Sequence, residues 1–207
     1  RIRPVTAPRR GLVAALNHGL TVARAPCIAR LDADDTAHPE RPAAQADWLE
    51  QHPGLGLVSC LVEFGGSRET AAGYARYVDW LNTIVTPEAI ALQRFIESPL
   101  AHPSVMFRRE LVDRHGAYAE GAFPEDYELW LRWLEAGVRM TKVPRPLLTW
   151  NDPPRRLSRT DPRYAPAAFY ECKARYLARW LGGGPLARRP LWVWGAGRLT
   201  RRRVERL

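Results

Sequence analysis

Three aspartates, Asp32, Asp34 and Asp35, follow an apolar run in the stretch CIARLDADDT at residues 27–36. Carboxylates beside a buried strand are costly unless a cation meets them, so the cluster predicts one. Hard carboxylate oxygens suit Mg²⁺ or Mn²⁺, and such ions bridge diphosphate oxygens. If the strand continues through the acids, side chains alternate, and Asp32 and Asp34 share one face with Asp35 on the other. The carboxyl end of a parallel strand is where open α/β sheets hold ligands. A blander reading makes Asp35 or Thr36 a cap for the helix expected to start near Pro39. That reading uses one acid and leaves the others unexplained.

The surrounding pattern alternates helix and strand. GLVAALNHGLTVARAP has apolar residues at helical spacing, CIARL reads as a short strand, and HPERPAAQADWLEQHP as a second helix. LGLVSCLVEF is a continuous apolar run, which predicts a buried strand. Such alternation predicts an α/β fold with a mostly parallel, two-sided sheet. Two helices broken at Thr86-Pro87 follow, then a strand in SVMFRRE. FPEDYELWLRWLEAG is a strongly signalled helix, with Pro124 at its start, Glu125 and Asp126 in its first turn and Gly137 at its end. Trp130 and Trp133 fall at core positions of that helix. VRMTKVPRPLLTW predicts two short strands, NDPPRRLSRTDPRY an arginine-rich loop, and APAAFYECKARYLARWL a last long helix.

The chain has 207 residues and a formal net charge of +9, carried almost wholly by arginine, since Lys142 and Lys173 are its lysines. A basic surface can meet nucleic acid, an anionic membrane or a phosphorylated small molecule, or be plain solvated surface. The arginines are dispersed rather than interleaved with aromatics, which argues against specific nucleic-acid binding. Cys27, Cys60 and Cys172 show no CxxC spacing. They give no basis for a disulfide framework or zinc site and fit a reducing cytoplasm. RIRPVTAPRR has no apolar signal region, and no run approaches the roughly 20 apolar residues of a membrane span.

Asp32, Asp34 and Thr36 also match D-x-D-x-T, the signature of a phosphatase of the haloacid-dehalogenase type in which Asp32 would be a nucleophile. That class needs a downstream lysine and further acids; Lys142 is followed by Asp152 and Asp161 in a Pro/Arg-rich loop, so the match stays local. A non-catalytic basic anion-binding module is a further alternative.

In order along the chain, GLVAALNHGL, ARLDADD, HPERPAAQADWLEQHPGLGLV, WLN, ESPLAHPSVMFRRE and PEDYELWLRWLEAG resemble the family 2 glycosyltransferases of the GT-A fold, from about Gly11 to Asp161. The resemblance implies inverting transfer from a nucleotide-diphosphate sugar donor, with Mg²⁺ or Mn²⁺ on the D-x-D. By position, Asp32 and Asp34 would hold the metal, Asp32 also lying near the donor ribose, and Asp35 would be an auxiliary acid. Asp126 would be the catalytic base with Glu125 its neighbour, and His102 would line the donor or acceptor site. Arg156 and Arg159 would grip the diphosphate. Asp126, in a helix first turn, is expected to be ionised at neutral pH.

The resemblance also implies a saccharide or lipid-linked acceptor of cell-surface polysaccharide assembly, and a cytoplasmic enzyme with peripheral contact at the inner membrane face. Its usual opening strand, helix and strand have no counterpart before Arg1, so the expected organisation is an N-terminally truncated GT-A domain over 1–181. A linker over 182–190 would follow. Residues 191–207, with Gly195-Ala196-Gly197, would start a second Rossmann-like domain or form a terminal helix.

Overall fold

The computed structural model describes residues 3–183, 187, 189–190, 192–195 and 197–205. Among them, five strands form one sheet in the order β1-β4-β3-β5-β2. These are β1 (Cys27–Ala29), β2 (Thr36–Ala37), β3 (Leu57–Phe64), β4 (Met106–Arg108) and β5 (Met140–Trp150). The α/β class is as expected, and the sheet is mixed. Its long pairing, β3 with β5, is parallel, whereas β1–β4, β4–β3 and β5–β2 are antiparallel. The expectation of a mostly parallel sheet is therefore corrected: among the described strands only the central β3–β5 pairing is parallel. β1 falls within the expected CIARL strand, whereas β2, two residues long, carries no strand signal in the sequence.

The helices are α1 (Leu12–Val22), α2 (Arg41–Gln51), α3 (Ala72–Thr83), α4 (Pro87–Gln93), α5 (Glu110–His115), α6 (Glu125–Glu135), α7 (Leu157–Thr160), α8 (Pro166–Gly183) and α9 (Arg198–Val204). Two expected strands in VRMTKVPRPLLTW are a single strand, β5, whose pairing jumps from Val143 to Pro146, a bulge that absorbs Pro144 and Arg145. The break at Thr86-Pro87 is real: the Thr86 hydroxyl accepts from the Ala89 N–H at 3.2 Å and starts α4. Residues 192–195 are not strand, and 198–204 are helical. The expected linker begins inside α8 at 182–183; its residues 184–186 and 188, and Ala196, lie outside the described residues. No helix among the described residues is long and apolar enough to cross a membrane.

Side chains alternate along β3, and each face has its own core. Leu57 packs with Val13, Ile90, Phe107 and Trp130, while Val58, Cys60 and Val62 pack with Leu49, Val78 and Leu81. The helix α6 is buried on two sides, which positions the site. Its Trp130 and Trp133 face the sheet core, and Tyr127 and Leu131 meet Cys172 and Tyr176 of α8. Trp133 sits edge-on to Phe107 at 5.3 Å and to Trp130 at 5.9 Å. Gly137, at φ 83, stops the helix where other residues would be strained. The start of α6 is thereby fixed against both layers. Trp133→Ala is expected to lower unfolding free energy by about 3–5 kcal/mol in chemical denaturation. Leu92→Ala, at a residue 80% exposed, should stay within about 0.5 kcal/mol.

Candidate active site

A cavity of about 800 Å³ opens over the ends of β1 and β5 and the start of α6. Asp32 and Asp34 line one part of it, Asp126 and Glu125 another, and Arg156, Ser158 and Arg159 a third. Tyr74, Tyr77, Trp150, Phe169 and Tyr170 give it aromatic walls.

The three aspartates do not continue β1. The strand ends at Ala29, and Asp35 turns back to donate its N–H to the Asp32 carbonyl at 3.3 Å. On this turn one carboxylate oxygen from each of Asp32, Asp34 and Asp35 lies within 4.8 Å of the others. Asp32 and Asp34 line the cavity and Asp35 does not, but a turn rather than strand alternation sets this arrangement and keeps the three carboxylates close. Asp35 stands behind the cavity wall. Its Oδ1 accepts the Asn151 N–H at 2.8 Å, and its buried Oδ2 has no partner. Burial, then the neighbouring Asp32 and Asp34 charges against the Asn151 bond, push its carboxyl up to about 6. Neither Asp35 nor Thr36 caps a helix: α2 begins at Arg41 without a side-chain cap, and Thr36 pairs with Thr149 in the sheet.

The turn is held from outside. Asn151 donates its side-chain N–H to the Asp34 carbonyl at 2.7 Å. Arg30 pairs with Asp32 at 2.5 Å, and the buried Arg41 donates to the Arg30 carbonyl. Arg41 is itself oriented by Gln45, which accepts from its Nε at 3.0 Å and donates to Ser104 and Val58 carbonyls. Three converging oxygen donors, one an unpaired buried carboxylate oxygen, fit a hard divalent ion.

Asp126 lies at the first turn of α6, its Oδ1 accepting the Tyr127 N–H at 2.8 Å. Burial, and next the Glu125 charge, push its carboxyl up to about 7. The expected ionisation of Asp126 at neutral pH is opposed here: partial loss of water outweighs the helix field and raises its carboxyl. Glu125 is 2% exposed, accepts the Tyr164 hydroxyl on both oxygens at 2.7 Å, and has Arg163 at 3.8 Å. It is a fixed negative neighbour rather than a second free base.

His102 lines the cavity, with its Nε2 2.7 Å from the Tyr118 hydroxyl. Burial, helped by the Arg30 charge, holds its pKa well below 6.5, so it is neutral. Arg156 lies 4.8 Å over both Tyr74 and Trp150 rings. It shares the buried Asp152 with Arg159, at 3.6 and 2.6 Å, so one of the two positive charges is already met. Lys142, which the phosphatase reading needs, donates to the Leu81 carbonyl at 2.5 Å inside the core and is not on the cavity wall. Asp32 faces Arg30 instead. Arg30, Arg41, Asn151 and Tyr164 were not singled out from the sequence. Arg30 adjoins the acids in ARLDADD, but the others act from distant elements and carry no local signal.

Comparison with known proteins gives concordant matches. The sequence model described as Glycosyl transferase family 2 matches residues 1–116, a span that holds the acid turn and His102 and stops before α6. The amylovoran biosynthesis glycosyltransferase AmsE of Erwinia amylovora is 31% identical over 139 residues, 67% of this chain and 49% of that protein. A UDP-Gal:α-D-GlcNAc-diphosphoundecaprenol β-1,3-galactosyltransferase of Escherichia coli is 28% identical over 138 residues, 67% of this chain and 48% of that protein. The chain thus spans about half the length of these relatives. Among solved structures, S. aureus TarS 1-349 in complex with UDP-GlcNAc aligns with a TM-score of 0.53 at 14% identity, over 81% of this chain and 52% of that one.

Two outcomes follow from the geometry. Asp126 holds its proton more tightly folded than at its ordinary value of 3.8, so its charge destabilises the fold as pH rises from about 4 through about 7. Asp126→Asn, which keeps an acceptor for Tyr127, is expected to melt at least about 2 °C above wild type at pH 8 in calorimetry. The advantage should vanish near pH 4. Asn151→Ala removes the tie to Asp34 but keeps the backbone bond to Asp35, and should weaken Mn²⁺ binding about 10-fold in titration calorimetry.

Proposed function

The chain belongs to glycosyl transferase family 2 and has an α/β fold of the GT-A type. On that premise we propose that it transfers a sugar, with inversion, from a nucleotide-diphosphate donor to a saccharide or lipid-linked acceptor. The observation that carries this reading is one cavity lined by Asp32 and Asp34 at one part and Asp126 at another. One relative is named for a lipid-linked GlcNAc diphosphate acceptor, and the solved neighbour holds UDP-GlcNAc. Both support the substrate class.

Asp126 accepts the proton of the acceptor hydroxyl, whose oxygen attacks the anomeric carbon as the bond to the donor diphosphate breaks. A carboxylate with a pKa near 7 suits this proton transfer, being basic enough to take a proton yet ionised in half or more of molecules at neutral pH. Glu125, fixed by Tyr164, keeps Asp126 basic through its charge. Asp32 and Asp34, with Asp35 behind them, would hold Mg²⁺ or Mn²⁺. When bound, that ion supplies positive charge beside the leaving diphosphate. Arg156 and Arg159 bring the remaining positive charge of Asp152's cluster to the same cavity. His102, neutral and tied to Tyr118, lines the sugar end as a hydrogen-bonding wall, and the aromatic side chains exclude water. A lipid-linked acceptor would place the enzyme in the cytoplasm against the inner membrane face.

The test is a panel of nucleotide-sugar donors with Mn²⁺, scored for acceptor-dependent nucleotide release and repeated with EDTA. Asp126→Asn is expected to lower kcat by about 10²- to 10⁴-fold with donor affinity kept. In wild type, kcat/KM should rise with pH to a plateau, with its midpoint near 7, because the base is protonated below it. Retention of wild-type kcat in Asp126→Asn, or a flat profile between pH 5 and 8, would contradict the assignment.

A further inference from the structure

The cavity has a second charged end that the transfer chemistry leaves unused. Lys173 on α8 and Arg203 on α9 both line it, beside Tyr170. Lys173 is 8% exposed, donates its ammonium to the Ile96 carbonyl at 2.5 Å and stands 4.9 Å from the Tyr170 ring centre. The Arg203 guanidinium lies over the same ring at 3.7 Å. Its Nε is buried and has no hydrogen-bond partner among the described residues. The acid at this end is Glu97, which accepts the Ser98 N–H at 3.2 Å. Burial lowers the pKa of Lys173, Glu97 opposes that shift, and Arg203 adds to it, so the two cations are close enough to repel.

Glu97 and the Tyr170 ring meet part of this charge, and a buried donor on Arg203 stays unpaired among the described residues, which an incoming anion would satisfy. The two cations are also held by partners other than those of the donor's groups. The acid turn is tied to Asn151 and Arg156 is stacked on Trp150, whereas Lys173 is bonded at Ile96. We propose that Lys173, Tyr170 and Arg203 form a subsite for a phosphoryl group carried by the acceptor. The inference rests on the transfer reading and names the acceptor class within it. Arginine presents a planar fork and lysine a point charge, and together they match a doubly charged phosphoryl better than a singly charged carboxylate. Arg203 and Lys173 bind here; Asp126 remains the group that meets the reacting hydroxyl.

The test uses the full chain in EDTA, so that the acid turn has no ion with which to capture phosphate. Octyl diphosphate, inorganic pyrophosphate and glucuronate are titrated calorimetrically into wild type, Arg203→Ala, Arg203→Lys and Lys173→Gln. Wild type should bind octyl diphosphate and pyrophosphate at least tenfold more tightly than glucuronate. Arg203→Ala should weaken both phosphoryl probes by about 10- to 100-fold, and Arg203→Lys by less. UDP affinity in Mn²⁺ should stay within twofold in Arg203→Ala. Octyl diphosphate binding more tightly than pyrophosphate assigns the site to a lipid-linked phosphoryl; equal binding assigns it to the phosphoryl group alone. No phosphoryl binding by wild type, unchanged binding in Arg203→Ala, an equal loss of UDP affinity, or tighter binding of glucuronate would overturn the subsite. Donor turnover is not read in this assay, so failure of the transfer reading shows in the donor panel and failure of the subsite shows here.

Discussion

A half-buried carboxylate at the start of α6 sets the terms for the rest of the site. Asp126 is held at the cavity wall because α6 is clamped between Trp130 and Trp133 on the sheet side and Tyr127 and Leu131 on the α8 side. Desolvation and the Glu125 charge together lift its pKa to about 7. The packing that stabilises the helix therefore also creates a destabilising group at its end. Such local conflict between stability and chemistry is common where a fold carries a reactive centre.

The acid turn poses the converse problem. Three carboxylates on one turn repel each other, and the protein holds them with groups that leave their cavity-facing oxygens open. Asn151 bonds a backbone carbonyl and the rear Asp35 oxygen, and Arg41 bonds the Arg30 carbonyl. Among the described residues, Arg30 meets a carboxylate of the pair that lines the cavity. A turn braced mainly through its backbone can accept a cation without losing its shape.

Much of this was legible in the sequence because it depended on local patterns. The apolar spacing of α1, α2, α3 and α8 gave their positions, the acids of LDADD stood out as costly unless used, and those of PED marked a helix start. What depended on distant pairing was not legible. The alternation rule set Asp35 apart from Asp32 and Asp34, whereas a turn after β1 brings one oxygen of each together. The helix field suggested a fully ionised Asp126 because the second core, supplied by α8, lies some 40 positions away along the chain. Asn151 and Arg41 matter only once β5 and α2 are folded against the turn. The C-terminal Gly195-Ala196-Gly197 stretch looked like a strand-to-helix turn, and its helix is present without a strand over 192–195.

The central claim is that a divalent ion on Asp32 and Asp34 and a base at Asp126 face one sugar from two sides. It is tested most directly by a crystal structure of the protein with Mn²⁺ and a nucleotide sugar that it turns over, with the ion located by anomalous scattering. The account predicts one manganese peak between the Asp32 and Asp34 carboxylates, with the sugar ring lying between it and the Asp126 carboxyl. A peak held by other residues, or a sugar turned away from Asp126, would contradict it.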